Sequence, residues 1–274
     1  MRSFFLTLLV TTVAGFLLGF LFFSAPSISN YKLLGGSSEN LETLLINQDP
    51  GNPWFNPIKY VIRGAVTGGV SSRTIAYLLL LTVVTAFIAG MRHLIGVKSF
   101  GIFMPAALSV VFVSIGPIFG VGLFILIMLI ASLVRFALRR FKIRLQYLPR
   151  MAFILWGVIL CILVVLFLAP IFGGFDLGGV SPLPLFILIL LAEDFIRVQL
   201  GKSVKAAVNL TTETLILAFV SYLILSFGPF QEFAILNPEI LLIVVAIFDF
   251  VLGKYIGLRF LEYYRFRKLI KKLD

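Results

Sequence analysis

Long apolar runs without charged residues recur along this chain and restrict what it can fold into. Residues 151–171, MAFILWGVILCILVVLFLAPI, contain no charged side chain. A helical run of about 20 apolar residues matches the thickness of a bilayer's hydrocarbon core. Hydrophobic residues make up 60% of the chain and charged residues 13%, and the mean hydropathy is +1.10. Because a soluble core could not bury so much apolar surface, the sequence predicts a membrane protein.

The apolar runs are continuous, whereas the strands of a transmembrane barrel would show short alternating segments. The predicted fold class is therefore all-α, a polytopic transmembrane helical bundle of about eight spans. These are residues 4–23, 74–91, 100–115, 118–136, 151–171, 183–200, 206–227 and 240–257. The third run is short, so seven spans is the alternative.

Basic residues predict the orientation of the chain. With the N-terminus in the cytoplasm, all of the 23 basic residues except Lys32, Lys59, Arg63 and Arg73 fall on the cytoplasmic side. Lys and Arg gather on the cytoplasmic side of membrane proteins. We therefore predict a multi-pass protein of the cytoplasmic (inner) membrane with both termini in the cytoplasm. The net charge of +11 follows from this bias and does not indicate a nucleic-acid partner.

The chain divides into four predicted regions. Residues 1–23 form a transmembrane anchor, since this run is longer than the apolar core of a signal peptide. Residues 24–73 form an extracytoplasmic loop, with a helix start signal in SSENLETLL and interfacial aromatics in NPWFNPIKY. We expect a short helix and an ordered loop there, acting as a connector or, alternatively, in recognition. Residues 74–257 form a seven-helix transmembrane domain, and 258–274 a basic amphipathic tail on the anionic leaflet.

Carboxylates inside predicted spans are candidates for function, because ionisable groups are costly there. Glu193, Asp194, Glu213 and Asp249 are such residues. Counted from the span ends at about 1.5 Å per residue, Glu193, Glu213 and Asp249 fall at similar heights in the cytoplasmic half. Arg197 follows Glu193 at i+4, which favours an ion pair. We predict that these side chains form one layer of charge.

The stretch RHLIGVKSFGIFMP, residues 92–105, brings positive charge to the same end. Arg92, His93 and Lys98 belong to the predicted charge layer, and we expect Arg92 or Lys98 to meet Glu213 or Asp249. The glycines and the proline of this stretch, Gly96, Gly101 and Pro105, predict a broken helix. The free amides at such a break could bind anions. The alternative is a simple loop with interfacial charges and a proline at a helix start.

No catalytic residues, metal ligands or cofactor site are predicted. The sequence contains no phosphate-binding glycine loop of the GxxxxGK[ST] type and no HExxH motif. The single His excludes a pair of His ligands, and Cys161 lies alone in an apolar run. We therefore expect a non-enzymatic protein with the lipid bilayer as its solvent. No feature indicates an oligomeric state.

Four longer segments resemble a known family. They are residues 79–108, 147–155, 211–224 and 252–269, and they are similar to the seven-transmembrane domain of bacterial membrane proteins usually fused to an inactive transglutaminase-like domain. The resemblance spans about residues 74–270. It implies family-pattern positions at Arg92, Gly96, Lys98, Gly101, Pro105, Glu193, Glu213, Gly253, Gly257, Arg259 and Glu262. Residues 24–73 are too short for the transglutaminase-like domain, so its role is expected to be absent or supplied by another protein.

The same resemblance implies a partner. The family is associated with ATP-grasp ligases similar to glutamate-adding enzymes. We therefore expect a membrane scaffold or subunit that works with a cytoplasmic peptide ligase in making or exporting a peptide-like product. The alternative is a small-solute or proton-coupled transporter that uses the intramembrane carboxylates, Glu213 and Asp249 above all.

Overall fold

The computed structural model describes residues 38–48, 51–52, 54, 56–142, 145–168, 182–201, 204–257 and 259–260. These residues are helical apart from turns and short connections, and none of them lies in a β-strand. The all-α fold class is therefore confirmed. The predicted anchor, 1–23, and nearly all of the predicted tail, 258–274, lie outside the described residues.

The described residues form ten α-helices. These are α1 (Ser38–Asn47), α2 (Pro57–Thr67), α3 (Ser72–Gly90), α4 (Phe103–Ile115), α5 (Pro117–Arg140), α6 (Tyr147–Leu168), α7 (Pro182–Gly201), α8 (Val204–Ser226), α9 (Gly228–Leu236) and α10 (Pro238–Gly253). A π-helical turn, Met91–Ile95, continues α3.

Within the described residues, four helices are long and apolar enough to cross a membrane. They are α3 with its π-helical turn, α5, α6 and α8. Helices α9 and α10 meet this criterion only as a pair, and the pair is bent by 101°, as in a broken span or a re-entrant segment. Helix α4 has 13 residues, or about 20 Å, which is shorter than the hydrocarbon core of about 30 Å.

Helix α5 shows how the surface suits lipid. Leu129, Leu133 and Phe136 lie at helical spacing on one face, and each side chain is more than 60% exposed. The opposite face buries Phe124, Ile127 and other apolar residues. A helix that is apolar on its packed face and on its free face is typical of a membrane span.

The chain forms two compact units. Of the described residues, the first contains those from 38 to 97 and from 223 to 260, and the second contains those from 98 to 222. The first unit therefore holds α1–α3, the π-helical turn, α9 and α10. The second holds α4–α7 and most of α8.

In the first unit, α9 is a buried helix within residues 228–239, the segment between the last two predicted spans. It packs against α1, α2, α3 and α10. Its buried residues include Phe230, Gln231 and Phe233. Its nine residues are too few to span a bilayer, so apolar run length did not predict a helix there.

The same packing explains the segment 24–73, whose described part is more than a connector. Leu41, Leu45 and Ile62 from α1 and α2 form an apolar cluster with Ala76 of α3 and Ile235 of α9. The expected short helix in SSENLETLL is α1. Because both helices bury side chains against α3 or α9, they are part of the first unit's core.

A carboxylate fixes the start of α2. The backbone N–H of Lys59, in the first turn of α2, donates to Glu239 Oε1 of α10 at 2.9 Å. The free amides of a first helical turn carry partial positive charge, so a carboxylate there is favourable. Glu239 thus joins α2 to the start of α10.

The second unit has a continuous apolar core. Phe112, Phe124, Ile154 and Leu188, from four different helices, are each fully buried in it. Helices α5 and α6 approach closely at Gly157, where an added Cβ would lie 2.8 Å from Val134 Cγ2. This close contact fixes the position of the middle of α6 relative to α5.

Candidate functional site

The stretch singled out in the sequence is non-helical from Gly96 to Ile102, between the π-helical turn and α4. The turn ends at Gly96, which has φ of +92°, and the Gly96 amide donates to the Met91 carbonyl at 3.1 Å. Gly101 has φ of +68°. Glycine adopts these left-handed angles without the steric cost of a Cβ. Pro105 is the third residue of α4 and is buried.

The first unit holds one side of this stretch through its last described residues. The Nε2–H of His93 donates to the Tyr255 carbonyl at 3.0 Å, and the two rings meet edge to face with centroids 5.8 Å apart. A Cβ added at Gly96 would lie 3.3 Å from Cβ and Cδ of Arg259. His93 and Gly96 therefore seat the π-helical turn against the segment that follows α10.

In the second unit, two neighbouring side chains of α8 bind the backbone of the stretch. The Lys98 amide donates to Glu213 Oε2 at 2.5 Å. The Phe100 amide donates to Thr214 Oγ1 at 3.2 Å, and the same hydroxyl donates to the Leu210 carbonyl at 2.7 Å. Irregular backbone at membrane depth needs such partners, because lipid offers none. Glu213 and Thr214 thus position the break.

This contact differs from the expected ion pair. Glu213 accepts a hydrogen bond from the backbone of Lys98, and the Lys98 side chain is exposed. Sequence spacing placed Glu213 at about the same membrane depth as the stretch. It could not show whether Glu213 would bind the backbone amide of Lys98 or its side-chain ammonium group. The finding changes the interpretation of Glu213 from a member of a charge layer to a residue that positions backbone.

Arg197 of α7 forms the ion pair expected from its spacing. Its Nη2 lies 2.8 Å from Glu193 Oε1, and its Nη1 lies 3.5 Å from Asp194 Oδ1. The arginine and both carboxylates are roughly half exposed. These residues form an acidic and basic cluster at one end of the second unit.

The remaining members of the predicted layer lie in the first unit. Asp249 is on an exposed face of α10, and none of the ion pairs among the described residues involves it. Arg92 is half-buried in the π-helical turn. The structure therefore joins Lys98 to Glu213, and Arg197 to Glu193 and Asp194, as two separate contacts. It joins neither Arg92 nor Asp249 to another member of the layer within the first unit.

Three residues that matter in the structure could not be singled out from the sequence. Thr214 acts through its hydroxyl and Tyr255 through its backbone carbonyl. Such groups are common in any chain, so no sequence pattern distinguishes these two. Arg135, in α5, carries a charge but is only 8% exposed. Its position on the α5 face that buries Met128, Ala131 and Leu138 is the signal that could have identified it.

Comparison with known families identifies the transmembrane part of the chain. Residues 69–270 match the model of a family described as seven transmembrane helices usually fused to an inactive transglutaminase. The chain belongs to this family. The matched region begins just before α3 and covers all the later described helices, while α1 and α2 precede it. No curated protein and no solved structure matches the chain.

Membership of this family confirms a multi-pass membrane protein. The family-pattern positions implied by the resemblance, including Gly96, Gly101 and Glu213, lie inside the matched region. Among the described residues, no three His, Cys, Asp or Glu side chains are grouped closely enough to hold a metal ion.

Proposed function

We propose that this protein is a non-enzymatic membrane component that holds a cytoplasmic partner at the membrane. The observation that carries the proposal is the exposed basic end of α5, where Arg140 and Lys142 project from the last turn and the residues after it. Lys142 has φ of +56°. Glycine is the usual residue at such a helix end. A lysine there costs conformational free energy, which favours a role for its charge.

The partner's class is proposed from the resemblance described in the sequence. We expect an ATP-grasp peptide ligase, as the family resemblance implies, with an acidic surface that meets the basic end of α5. The predicted orientation puts the tail, with five basic residues between 265 and 272, in the same cytoplasmic compartment. Two of the predicted intramembrane carboxylates support this reading over transport, because Glu213 binds backbone and Glu193 binds Arg197.

A pull-down from native membranes tests the proposal. The tagged protein is extracted in mild detergent, and bound proteins are identified by mass spectrometry. We expect a ligase-like protein in near-equal amounts with the wild-type chain, and its loss with the double variant Arg140→Glu/Lys142→Glu. The matched control is Arg140→Lys, which keeps the charge and should keep the partner. Recovery of the chain alone would overturn the proposal.

A transporter is the second candidate, and the bend of 101° between α9 and α10 favours it. Transporters form binding sites from such discontinuous helices. Asp249 lies on α10, one of the two helices in this bent pair. A carboxylate at membrane depth could carry a proton.

Proton uptake into liposomes tests this candidate. The purified protein is reconstituted with a pH-sensitive dye inside, and a membrane potential is imposed. A proton-coupled transporter requires that Asp249→Asn abolish uptake while Asp249→Glu retains it. Equal dye signals from the wild-type chain and Asp249→Asn would exclude this role for Asp249.

A further inference from the structure

Helix α10 carries a carboxylate on an exposed face. Asp249 is exposed, and so are Ala246, one turn before it, and Gly253, one turn after it. A Cβ added at Gly253 would meet nothing within 4 Å. Leu242 is half-buried and lies one further turn back on the same side of the helix, because residues spaced at i, i+4, i+7 and i+11 share one face. These four residues are called the Asp249 face.

The Asp249 face is poorly suited to lipid. A carboxylate at membrane depth is costly unless it is paired, and none of the ion pairs among the described residues involves Asp249. The next cation along the chain, Lys254, places its Nζ 4.2 Å from the centre of the Phe250 ring. Polar side chains at such depth stabilise contacts with another helix. The same face of a second copy would bring two carboxylates together, which is unfavourable.

The predicted anchor, residues 1–23, has a face with the same spacing. Leu8, Thr12, Gly15 and Gly19 follow one another at i, i+4, i+7 and i+11, and the anchor contains no acidic residue. In the predicted orientation the anchor leaves the cytoplasm and α10 returns to it, so the two helices would be antiparallel. Thr12 and Asp249 then lie at the same depth, each about 12 Å from the cytoplasmic end of its predicted span.

The two faces are complementary in size when Thr12 lies opposite Asp249. Each of the other positions then has a glycine on one of the two helices. The pairs are Gly15 with Ala246, Gly19 with Leu242, and Leu8 with Gly253. Small residues let membrane helices approach closely. The Thr12 hydroxyl is a hydrogen-bond donor, and a carboxylate is the stronger kind of acceptor for it.

The connection to the described part of the chain is long enough for this packing. Residues 24–37 separate the anchor from α1, and 14 residues could span about 45 Å if extended. Helix α1 packs against α9, and α9 is followed directly by α10. The outer end of the anchor is therefore within reach of the start of α10.

We propose that the anchor packs antiparallel against the Asp249 face of α10, with the Thr12 hydroxyl donating to the Asp249 carboxylate. This contact would close the first unit with a span that precedes the seven-helix domain. It would also give Asp249 a role in assembly. The inference is independent of the proposed partner, which is assigned to Arg140 and Lys142.

Disulfide cross-linking in native membranes tests the packing. The full chain carries Cys161→Ser, since Cys161 is its single cysteine, and a protease site inserted within 24–37. Gly15→Cys and Ala246→Cys are combined, the membranes are oxidised, and the chain is cleaved at the inserted site. We expect the anchor fragment to stay attached to the rest of the same chain until a reductant is added.

The matched control combines Leu17→Cys with Ala246→Cys. Position 17 lies at nearly the same depth as position 15 but on the opposite side of a helix, so we expect the anchor fragment to be released. A product of two cross-linked chains would assign the face to a second copy and overturn the proposal. Release of the fragment from the Gly15 and Ala246 pair, or equal cross-linking from the control pair, would overturn it as well.

The same assay tests the polar contact. Thr12→Val and Asp249→Leu should each lower the cross-linked fraction, because a hydrogen bond between the helices is lost. Thr7→Val, on another side of the anchor, should leave the fraction unchanged. Unchanged cross-linking in both polar variants would rule out the hydrogen bond between Thr12 and Asp249. Because the cysteine pair keeps both residues, it decides the packing even if a polar variant fails to insert.

Discussion

At the scale of single residues, polar groups at membrane depth are used to satisfy backbone. Glu213 accepts a hydrogen bond from the Lys98 amide, and Thr214 accepts one from the Phe100 amide. His93 donates a hydrogen bond to the Tyr255 carbonyl. Each of these contacts lies at a break in helical structure, where backbone groups lose their regular partners. The charged stretch at 92–105 is therefore explained first by the break that it contains.

Replacing Thr214 with valine should destabilise the protein. Valine keeps the shape of threonine but leaves the Phe100 amide without its acceptor, which costs about 1–3 kcal/mol for a buried group. Thermal unfolding in detergent measures the change. Thr212→Val is the matched control, since the Thr212 hydroxyl bonds only back to Val208 on its own helix and is exposed. Equal effects of the two variants would show that the contact with Phe100 carries no stability.

Alanine at Gly96 should also destabilise the protein. A Cβ at φ of +92° costs about 1–2 kcal/mol, and here it would also press on Arg259. Gly122→Ala in α5, where an added Cβ meets nothing, should be neutral or stabilising by about 0.5–1 kcal/mol. The same unfolding measurement compares them. A Gly96→Ala protein as stable as Gly122→Ala would mean that the turn does not need its left-handed residue.

At the scale of helices, hydrophobic length predicted the long elements well. Continuous apolar runs identified α3, α5, α6 and α8, because bilayer thickness sets a minimum helix length. The i+4 spacing also predicted the Arg197–Glu193 pair correctly. Helix α9 was not predicted, because its burial depends on packing against α1, α2 and α3. The residue pattern within the segment itself does not show that packing. The burial of Arg135 could not be predicted for the same reason, since it depends on packing against neighbouring helices.

The crossing of α5 and α6 depends on Gly157. Alanine at this position would bring Cβ to 2.8 Å from Val134 Cγ2, and the stiff valine cannot rotate away easily. We expect a loss of about 1–3 kcal/mol in the free energy of unfolding, as for other overpacked cores. The double variant Gly157→Ala/Val134→Ala should recover part of it. If the second substitution only adds to the loss, the two residues are not the point of contact.

At the scale of the whole molecule, the family match confirms the membrane fold and leaves the biological partner as the central question. Membership depends on residues 69–270, the part that contains seven of the eight predicted spans. The predicted orientation, from basic residues on one side, would place the end of α5 in the cytoplasm. A partner bound there would explain a membrane domain without a predicted catalytic constellation.

Site-specific photo-crosslinking in native membranes tests this claim most directly. A crosslinking amino acid is placed at Arg140, and at Tyr60 on the predicted outer side as the control. We predict a protein adduct from position 140, identified by mass spectrometry as a ligase-like cytoplasmic enzyme, and no such adduct from position 60. Adducts with lipid alone at position 140, in a chain that inserts normally, would contradict the account.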